Sequence, residues 1–152
     1  MVVKSFRGKI SDGGIDTISL HTNNGSIGYK INKFQIMPNN PGNLEAELVC
    51  KIFSVPQTAP AVNTIDFQDN TLLAVAIYGA NSASALINSD VVVFDNTIFN
   101  QDIYVTAIDI EQTSECNYYI ELEMVKLDLN ENTVATLKDI RNIEGQPFTS
   151  TP

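Results

Sequence analysis

The sequence predicts an all-β protein, an antiparallel β-sandwich of jelly-roll-like type with one short C-terminal helix. Turn-forming clusters of Gly, Pro, Asn and Asp recur along the chain, and short runs rich in Ile, Val, Phe and Thr lie between them. Several runs alternate apolar and polar residues with a period of two, which is typical of strands with one buried face. We expect a single sandwich domain over residues 1–145 and a flexible tail over 146–152.

The first half of the chain begins with three predicted strands. Short apolar runs between turn signals predict strands at Val2–Ile10 and Ile15–Thr22. A third strand, at Ile27–Met37, has an apolar alternation that ends at Ile31 and resumes out of phase at Phe34. A phase slip of this kind inside one strand predicts a β-bulge or a break in the strand.

The next two predicted strands differ in how many of their faces are apolar. Ala46–Val55 alternates Leu48, Cys50 and Ile52 against Glu47 and Lys51. Thr71–Tyr78 is apolar on both faces, which indicates a central strand that is covered on both sides.

The last predicted strands lie at Val91–Phe94, Ile98–Asp109 and Asn117–Asp128. The last of these has the clearest pattern, with its apolar residues on one face and Glu121 and Glu123 on the other. We interpret the two carboxylates as a solvated strand face and not as a catalytic pair. The predicted core is Leu48, Cys50, Ile52, Leu73, Val75, Ile103, Val105, Ile120, Leu122 and Met124.

One segment, Asn132–Ile143, has a helical pattern. Val134 and Leu137 fall near one face, Asn132 or Thr133 can cap the start, and a glycine follows the end. A strand beginning at Thr133 is the alternative interpretation.

The composition excludes several classes of protein. The 152 residues carry a formal net charge of −9, so the chain lacks the basic footprint of a nucleic-acid-binding protein. No apolar run reaches the roughly 20 residues that a membrane-spanning helix needs, and the N-terminus has no secretory signal pattern.

Cys50 and Cys116 are expected to be buried free thiols. A disulfide between them remains the alternative for a chain that matures in an oxidising compartment.

The usual chemical motifs are missing from the sequence. There is no phosphate-binding glycine loop and no GxSxG motif, and the single histidine, His21, makes a multi-histidine metal site impossible. The spacing of Asp128, Asn130 and Asn132 resembles the start of a calcium loop, but Thr133 and Asp139 stand where that motif has Gly and Glu. We therefore expect a protein that is not an enzyme and that has no catalytic, cofactor-binding or metal-binding residues.

The C-terminal third is the most distinctive part of the sequence. It contains FNQDIYVTAIDI at Phe99–Ile110 and NYYIELEMVKLDLNENTVATLKDIRNIEG at Asn117–Gly145. With TLLAVAIYGANSAS and VVVFDNTIFNQDI, these stretches resemble small virion structural proteins of marine tailed phages.

The resemblance implies a capsid decoration, or cement, protein. Such a protein binds the outside of the major capsid lattice, stabilises it and forms homo-oligomers. Its expected partners are therefore the major capsid protein and itself, with no nucleic acid and no membrane. It is made in the host cytoplasm and located on the virion. We expect the chain ends, Met1–Arg7 and Gln146–Pro152, to be arms that order on docking. The candidate docking residues are Val2, Lys4, Phe6, Arg7 and Phe148.

Two other functions remain open from the sequence. A tail or fibre-associated virion component would be present in far fewer copies than a shell protein. A carbohydrate-binding sandwich would use an exposed aromatic side chain, for which the candidates are Tyr78, Tyr104, Tyr118 and Tyr119. Tyr119 is the strongest candidate because it lies on the polar face of its strand, although cross-strand pairing is the ordinary role of such a residue.

Overall fold

The computed structural model describes residues 2–20, 26–41, 45–58, 61–81, 86–94 and 97–127. These residues form an all-β structure without a helix. The eight strands are β1 (Val3–Ile10), β2 (Ile15–Ile18), β3 (Ile27–Pro38), β4 (Glu47–Phe53), β5 (Leu72–Asn81), β6 (Leu86–Val93), β7 (Ile103–Asp109) and β8 (Cys116–Lys126). The predicted helix at Asn132–Ile143 and the predicted tail lie outside the described residues.

The strands form two antiparallel sheets, which confirms the predicted all-β, antiparallel class. The first sheet has three strands in the order β1-β8-β3, and the second has five in the order β2-β7-β4-β5-β6. The chain crosses between the sheets after β1 through a turn at Asp12 and Gly13, where Gly13 has a φ of 78°. This left-handed conformation suits glycine, which has no Cβ to clash.

Both sheets contribute to one hydrophobic core. Ile31, Phe34, Ile120 and Leu122 come from the three-stranded sheet, and each is at most 2% exposed. The five-stranded sheet contributes Ile18, Leu48, Cys50, Ile52, Ala74, Ala76, Ile103, Val105 and Ala107. The predicted core agrees with this cluster apart from two residues. Val75 is buried, but it pairs with Lys51 on the outer face of the five-stranded sheet. Met124 is only partly buried and packs against the edge of the cluster, because it lies close to the end of β8.

Of the two interpretations of the phase slip in the third strand, a bulge or a break, the structure shows the bulge. The pairing of β3 with β8 shifts between Ile31 and Lys33, so Asn32 is the extra residue. The shift keeps Phe34 on the core side after Ile31, and it leaves the Asn32 amide free to donate to Glu123 at 3.1 Å. The bulge thus explains the change of phase in the sequence.

The expectation of a free arm at the N-terminus is wrong. Residues 3–10 form β1, which pairs with β8 over its whole length, from Val3 opposite Glu123 to Ile10 opposite Cys116. The alternation of β1 explains the difference, because Phe6 and Ile10 face the core and anchor the strand. The prediction of a strand in this region is correct.

The outer face of the five-stranded sheet is covered at β5, as its doubly apolar run predicts, and this cover extends to β4, where the alternation predicts exposure. Lys51 lies on the polar side of β4 as predicted, yet it is only 4% exposed. The segment after β4 passes over this face, and Ser54 N donates to Thr71 O where the segment rejoins the sheet. The alternation in β4 shows which side of the strand Lys51 is on, but it carries no information about a loop that covers that side.

Candidate functional site

An open groove of about 570 Å³ lies on the outer face of the three-stranded sheet. Two successive rows of paired residues form it. Arg7, Tyr119 and Gln35 make one row across β1, β8 and β3, and Lys9, Asn117 and Met37 make the next. Because directly paired residues point to the same side of a sheet, these six side chains share the outer face.

Tyr119 lies at the centre of the groove, since β8 is the middle strand. Its hydroxyl donates to Glu121 Oε2 at 2.7 Å, and this bond raises the pKa of the Tyr119 phenol. The ring is thereby held by a residue of its own strand, with Arg7 and Gln35 on either side. The arrangement offers an aromatic surface flanked by a guanidinium and an amide.

The two outward carboxylates of β8 both have partners. Glu121 accepts the Tyr119 hydroxyl, while Glu123 accepts from Asn32 and lies 3.9 Å from Lys30 Nζ. Both side chains are half-buried between the flanking strands. These contacts with neighbouring side chains give both carboxylates a structural role on this face.

The five predicted docking residues do not form one site. Arg7 lines the groove, whereas Phe6 faces the opposite side of the sheet and packs against the core. Val2 is 59% exposed beyond the start of β1. Lys4 Nζ donates to the Tyr29 hydroxyl at 3.4 Å and lies 5.7 Å from the centre of that ring. Phe148 lies outside the described residues.

Among the four tyrosines considered for carbohydrate binding, Tyr119 alone places its side chain in this groove. Tyr118 is 5% exposed and faces the core, so its assignment as a surface platform is wrong. Tyr78 is partly buried against the same core. Tyr104 lies on the other sheet, opposite Phe53. Strand parity explains the Tyr118 result, because Tyr118 shares its face with Ile120.

A buried carboxylate that the sequence did not single out organises one end of the molecule. Asp109 is 4% exposed and accepts backbone N–H groups from Glu47, Glu111, Gln112 and Ser114 at 3.0–3.1 Å. Burial raises the pKa of Asp109, but these hydrogen bonds outweigh burial and the net pKa lies below its ordinary value. Asp109 thus fixes the turn between β7 and β8, a structural role.

Metal ligands, membrane-spanning helices and similar proteins give no further indication of a site within the described residues. No group of three or more His, Cys, Asp or Glu side chains in the described ranges could hold a metal ion. No helix long and apolar enough to cross a membrane occurs in that part of the chain. Comparison of the chain with protein-family models, with curated proteins and with solved structures gave no match.

Proposed function

We propose that the chain is a phage virion structural protein, specifically a capsid decoration protein that binds the outside of the major capsid lattice and stabilises it. It is made in the host cytoplasm, and its partners are the major capsid protein and further copies of itself. The proposal rests on the resemblance described above and on one structural observation. The described strands include four edge strands, β1, β2, β3 and β6, and two of these on opposite sides, β1 and β6, carry exposed apolar side chains.

The first open edge belongs to β1, which pairs with β8 on one side and has no second strand partner among the described residues. Val2 and Val3 are 59% and 41% exposed there. An unpaired strand edge presents free N–H and C=O groups, and it is therefore a natural surface for another chain.

The second open edge belongs to β6, which pairs only with β5 within the described ranges. Ile87 and Val91 are 55% and 39% exposed along it. Because β1 contacts β2 while β6 contacts β3, the two edges lie on opposite sides of the molecule. A protein that bridges neighbouring subunits of a lattice needs two separate contact surfaces of this kind.

We also propose that the two sheets form a jelly-roll-like sandwich. The pairs β1–β8, β2–β7 and β4–β5 are nested within one another along the chain, and β3 contacts β6. Nested pairing of this kind is what a long hairpin folded over on itself produces. Both sheets also supply side chains to one core, as a sandwich requires.

The acidic composition agrees with an external position on the capsid. A formal charge of −9 disfavours contact with packaged DNA, because like charges repel.

Copy number in purified virions tests the proposal. Quantitative mass spectrometry should give a ratio to the major capsid protein near one or near a simple fraction. A few copies to a few tens would replace the decoration role with a tail or fibre role, and absence from particles would overturn the virion assignment.

A co-sedimentation assay with capsids that lack the protein tests the edges themselves. Ile87→Asp should weaken binding, because it places a charge on the β6 edge. Val62→Asp is the matched control, since Val62 has a similar exposure, 59% against 55% for Ile87, but lies in the loop after β4. Equal binding by both variants would remove the β6 edge from the interface.

Carbohydrate binding in the Tyr119 groove is the second candidate, favoured by the position of Tyr119 between Arg7 and Gln35. A sugar ring can stack on the aromatic face while the guanidinium and amide bond its hydroxyls. In a glycan array, Tyr119→Ala should lose any binding shown by the natural chain, whereas Tyr119→Phe should keep it. Binding retained by Tyr119→Ala would exclude the groove.

A further inference from the structure

A second cavity, of about 240 Å³, lies on the other side of the molecule from the Tyr119 groove. It is enclosed between the outer face of the five-stranded sheet and the segment that follows β4. Its sheet side includes Lys51, Phe53 and Thr106, and its segment side includes Thr64, Asp66 and Asp69.

Lys51 places a charged group on the sheet side of this cavity. The residue is 4% exposed, and its Nζ donates to Thr64 O at 2.7 Å and lies 5.5 Å from the centre of the Phe53 ring. No carboxylate of the described residues lies within ion-pair distance of Nζ. A lysine ammonium has three N–H donors, so two remain for another acceptor.

Thr106 adds a second polar group, and this one lacks a hydrogen-bond partner among the described residues. It is paired directly with Lys51 across β4 and β7, and it is 3% exposed. Its Oγ1 is buried and has no hydrogen-bond partner in the described structure. Buried hydroxyls are nearly always hydrogen-bonded, and leaving one without a partner is costly. The sheet side therefore offers two donor groups, an ammonium and a hydroxyl, to one acceptor.

The opposite side of the cavity carries negative charge. Asp66 is exposed and Asp69 is half-buried. One oxygen of each accepts a backbone N–H within the segment, from Gln68 at 2.9 Å and from Thr71 at 2.8 Å. The second oxygen of each carboxylate can still accept a hydrogen bond. The cavity thus has donors on the sheet side and acceptors near its opening.

We propose that this cavity binds a small carboxylate whose other end carries a hydrogen-bond donor, such as a short hydroxy acid or amino acid. The ligand carboxylate accepts from Lys51 Nζ and Thr106 Oγ1, and its hydroxyl or ammonium group faces Asp69. This polarity matches the charges of the cavity at both ends. A carboxylate without a second polar group can accept from Lys51 and Thr106, but it has no donor for the aspartates on the opposite side of the cavity.

The protonation of Lys51 agrees with this assignment. Burial lowers the pKa of the Lys51 ammonium, and Asp69 opposes that shift. A bound carboxylate favours the charged form further, so ligand binding is coupled to proton uptake at alkaline pH. The inference does not depend on the proposed virion function, because it uses neither strand edge.

Calorimetric titration of the full chain with glycolate, glycine and acetate tests the proposal. Glycolate or glycine should bind at least about 10-fold more tightly than acetate, which corresponds to about 1.4 kcal/mol. Equal affinity for all three would overturn the role of the donor end. No binding of any of them would overturn the site and leave a cavity that holds only water.

Variants assign the binding to the two residues. Lys51→Met should abolish it, and Thr106→Val should weaken it about 10-fold, while Thr106→Ser, which keeps the hydroxyl, should restore it. Lys126→Met is the matched control, because Lys126 is exposed at the end of β8. Unchanged affinity in Thr106→Val would contradict the proposal even if Lys51→Met failed to fold.

Discussion

The hydroxyl of Tyr118 donates a hydrogen bond to the carboxylate of Asp16, and this bond joins the two sheets. Tyr118 lies on β8 of the three-stranded sheet, and Asp16 lies on β2 of the five-stranded sheet, 102 positions earlier in the chain. Burial and the negative charge of Asp16 both raise the pKa of the Tyr118 phenol, so it stays protonated as a donor throughout the physiological range.

Removing this bond should destabilise the fold. Tyr118→Phe keeps the ring but leaves a half-buried carboxylate without its donor, so we expect a loss of about 1.5–3 kcal/mol in the free energy of unfolding. Urea denaturation followed by circular dichroism measures the change. Tyr119→Phe is the control on the same strand, because its hydroxyl bonds Glu121 on the outer face of the sheet and not in the core, and it should lower the midpoint much less than Tyr118→Phe does. Equal effects of the two variants would contradict a special role for the Tyr118–Asp16 bond.

Gly8 is required because the Tyr118 ring lies over it. A Cβ at position 8 would come within 2.7 Å of the Tyr118 hydroxyl and 2.8 Å of its ring carbons. Gly8→Ala should therefore displace the ring and break the bond to Asp16. We expect a loss of about 1–3 kcal/mol, as for other overpacked sites.

Gly79→Ala provides the comparison for this prediction. A Cβ at position 79 has no neighbour within 4 Å, although this glycine also lies in a strand. The variant should be neutral or slightly more stable, since alanine loses less backbone entropy on folding. Thermal denaturation of both variants measures the difference, and a Gly8→Ala protein as stable as Gly79→Ala would show that Tyr118 moves without cost.

Asp109 should make stability depend on acidic pH. Its pKa is lower in the folded state than in the unfolded chain, where it is about 3.9. The stabilisation is therefore complete above that unfolded value and is lost as the pH falls through the folded value. Asp109→Asn should lower the free energy of unfolding at pH 7 by about 1.5–3 kcal/mol, because the charge that accepts four backbone N–H groups is gone.

Denaturation at several pH values from about 2 to about 7, a range that spans the pKa of a carboxyl group, checks this prediction. The free energies of unfolding of the natural chain and of Asp109→Asn should become more similar as the pH falls. Asp90→Asn is a suitable control, since Asp90 is exposed and, among the described residues, accepts only from the N–H of Val91. A constant difference at every pH would mean that Asp109 does not carry the effect.

The two cysteines should be unreactive in the folded protein. Cys50 and Cys116 are free, at most 1% exposed, and in contact with each other in the core. Burial raises the pKa of the Cys50 thiol well above its ordinary value, and the neighbouring Cys116 adds to the shift. Because the thiolate is the reactive form, a disulfide reagent at pH 8 should label neither residue.

Mass spectrometry of the labelled protein measures this directly. Addition of a denaturant should expose both thiols and give two labels per chain. Rapid labelling of the folded protein would show that the core opens near Cys116, the first residue of β8.

The sequence was most informative where a strand has one face in the core. The alternation in β8 placed Ile120 and Leu122 inside, and the change of phase in β3 predicted a bulge or a break between Ile31 and Phe34, where the structure has a bulge. It also put Tyr119 on the outer face, where it lies in the groove. Parity carries this information because each residue of a strand points to the opposite side from the one before it.

The Lys51 cavity and the structural carboxylate of Asp109 depend on contacts that no local sequence pattern contains. Lys51 was predicted on the correct face, but the covering segment that buries it lies 13 positions further on at Thr64. Asp109 accepts N–H groups from Glu47 on β4 and from the turn after β7, and the sequence does not show that these segments are adjacent. For the N-terminal residues the sequence predicts both a strand at Val2–Ile10 and an arm at Met1–Arg7. The pairing of β1 with β8 shows that the strand forms.

The sequence by itself determined the all-β class, the positions of most strands and the residues that face the core, because these follow from short-range periodicity. Only the tertiary structure decided which strands are neighbours, which edges stay open and which polar groups are brought together. Those features depend on contacts between residues far apart in the chain, such as Asp16 with Tyr118 and Lys51 with Thr106. Their formation is set by how the whole core packs, and no segment of the sequence encodes them separately.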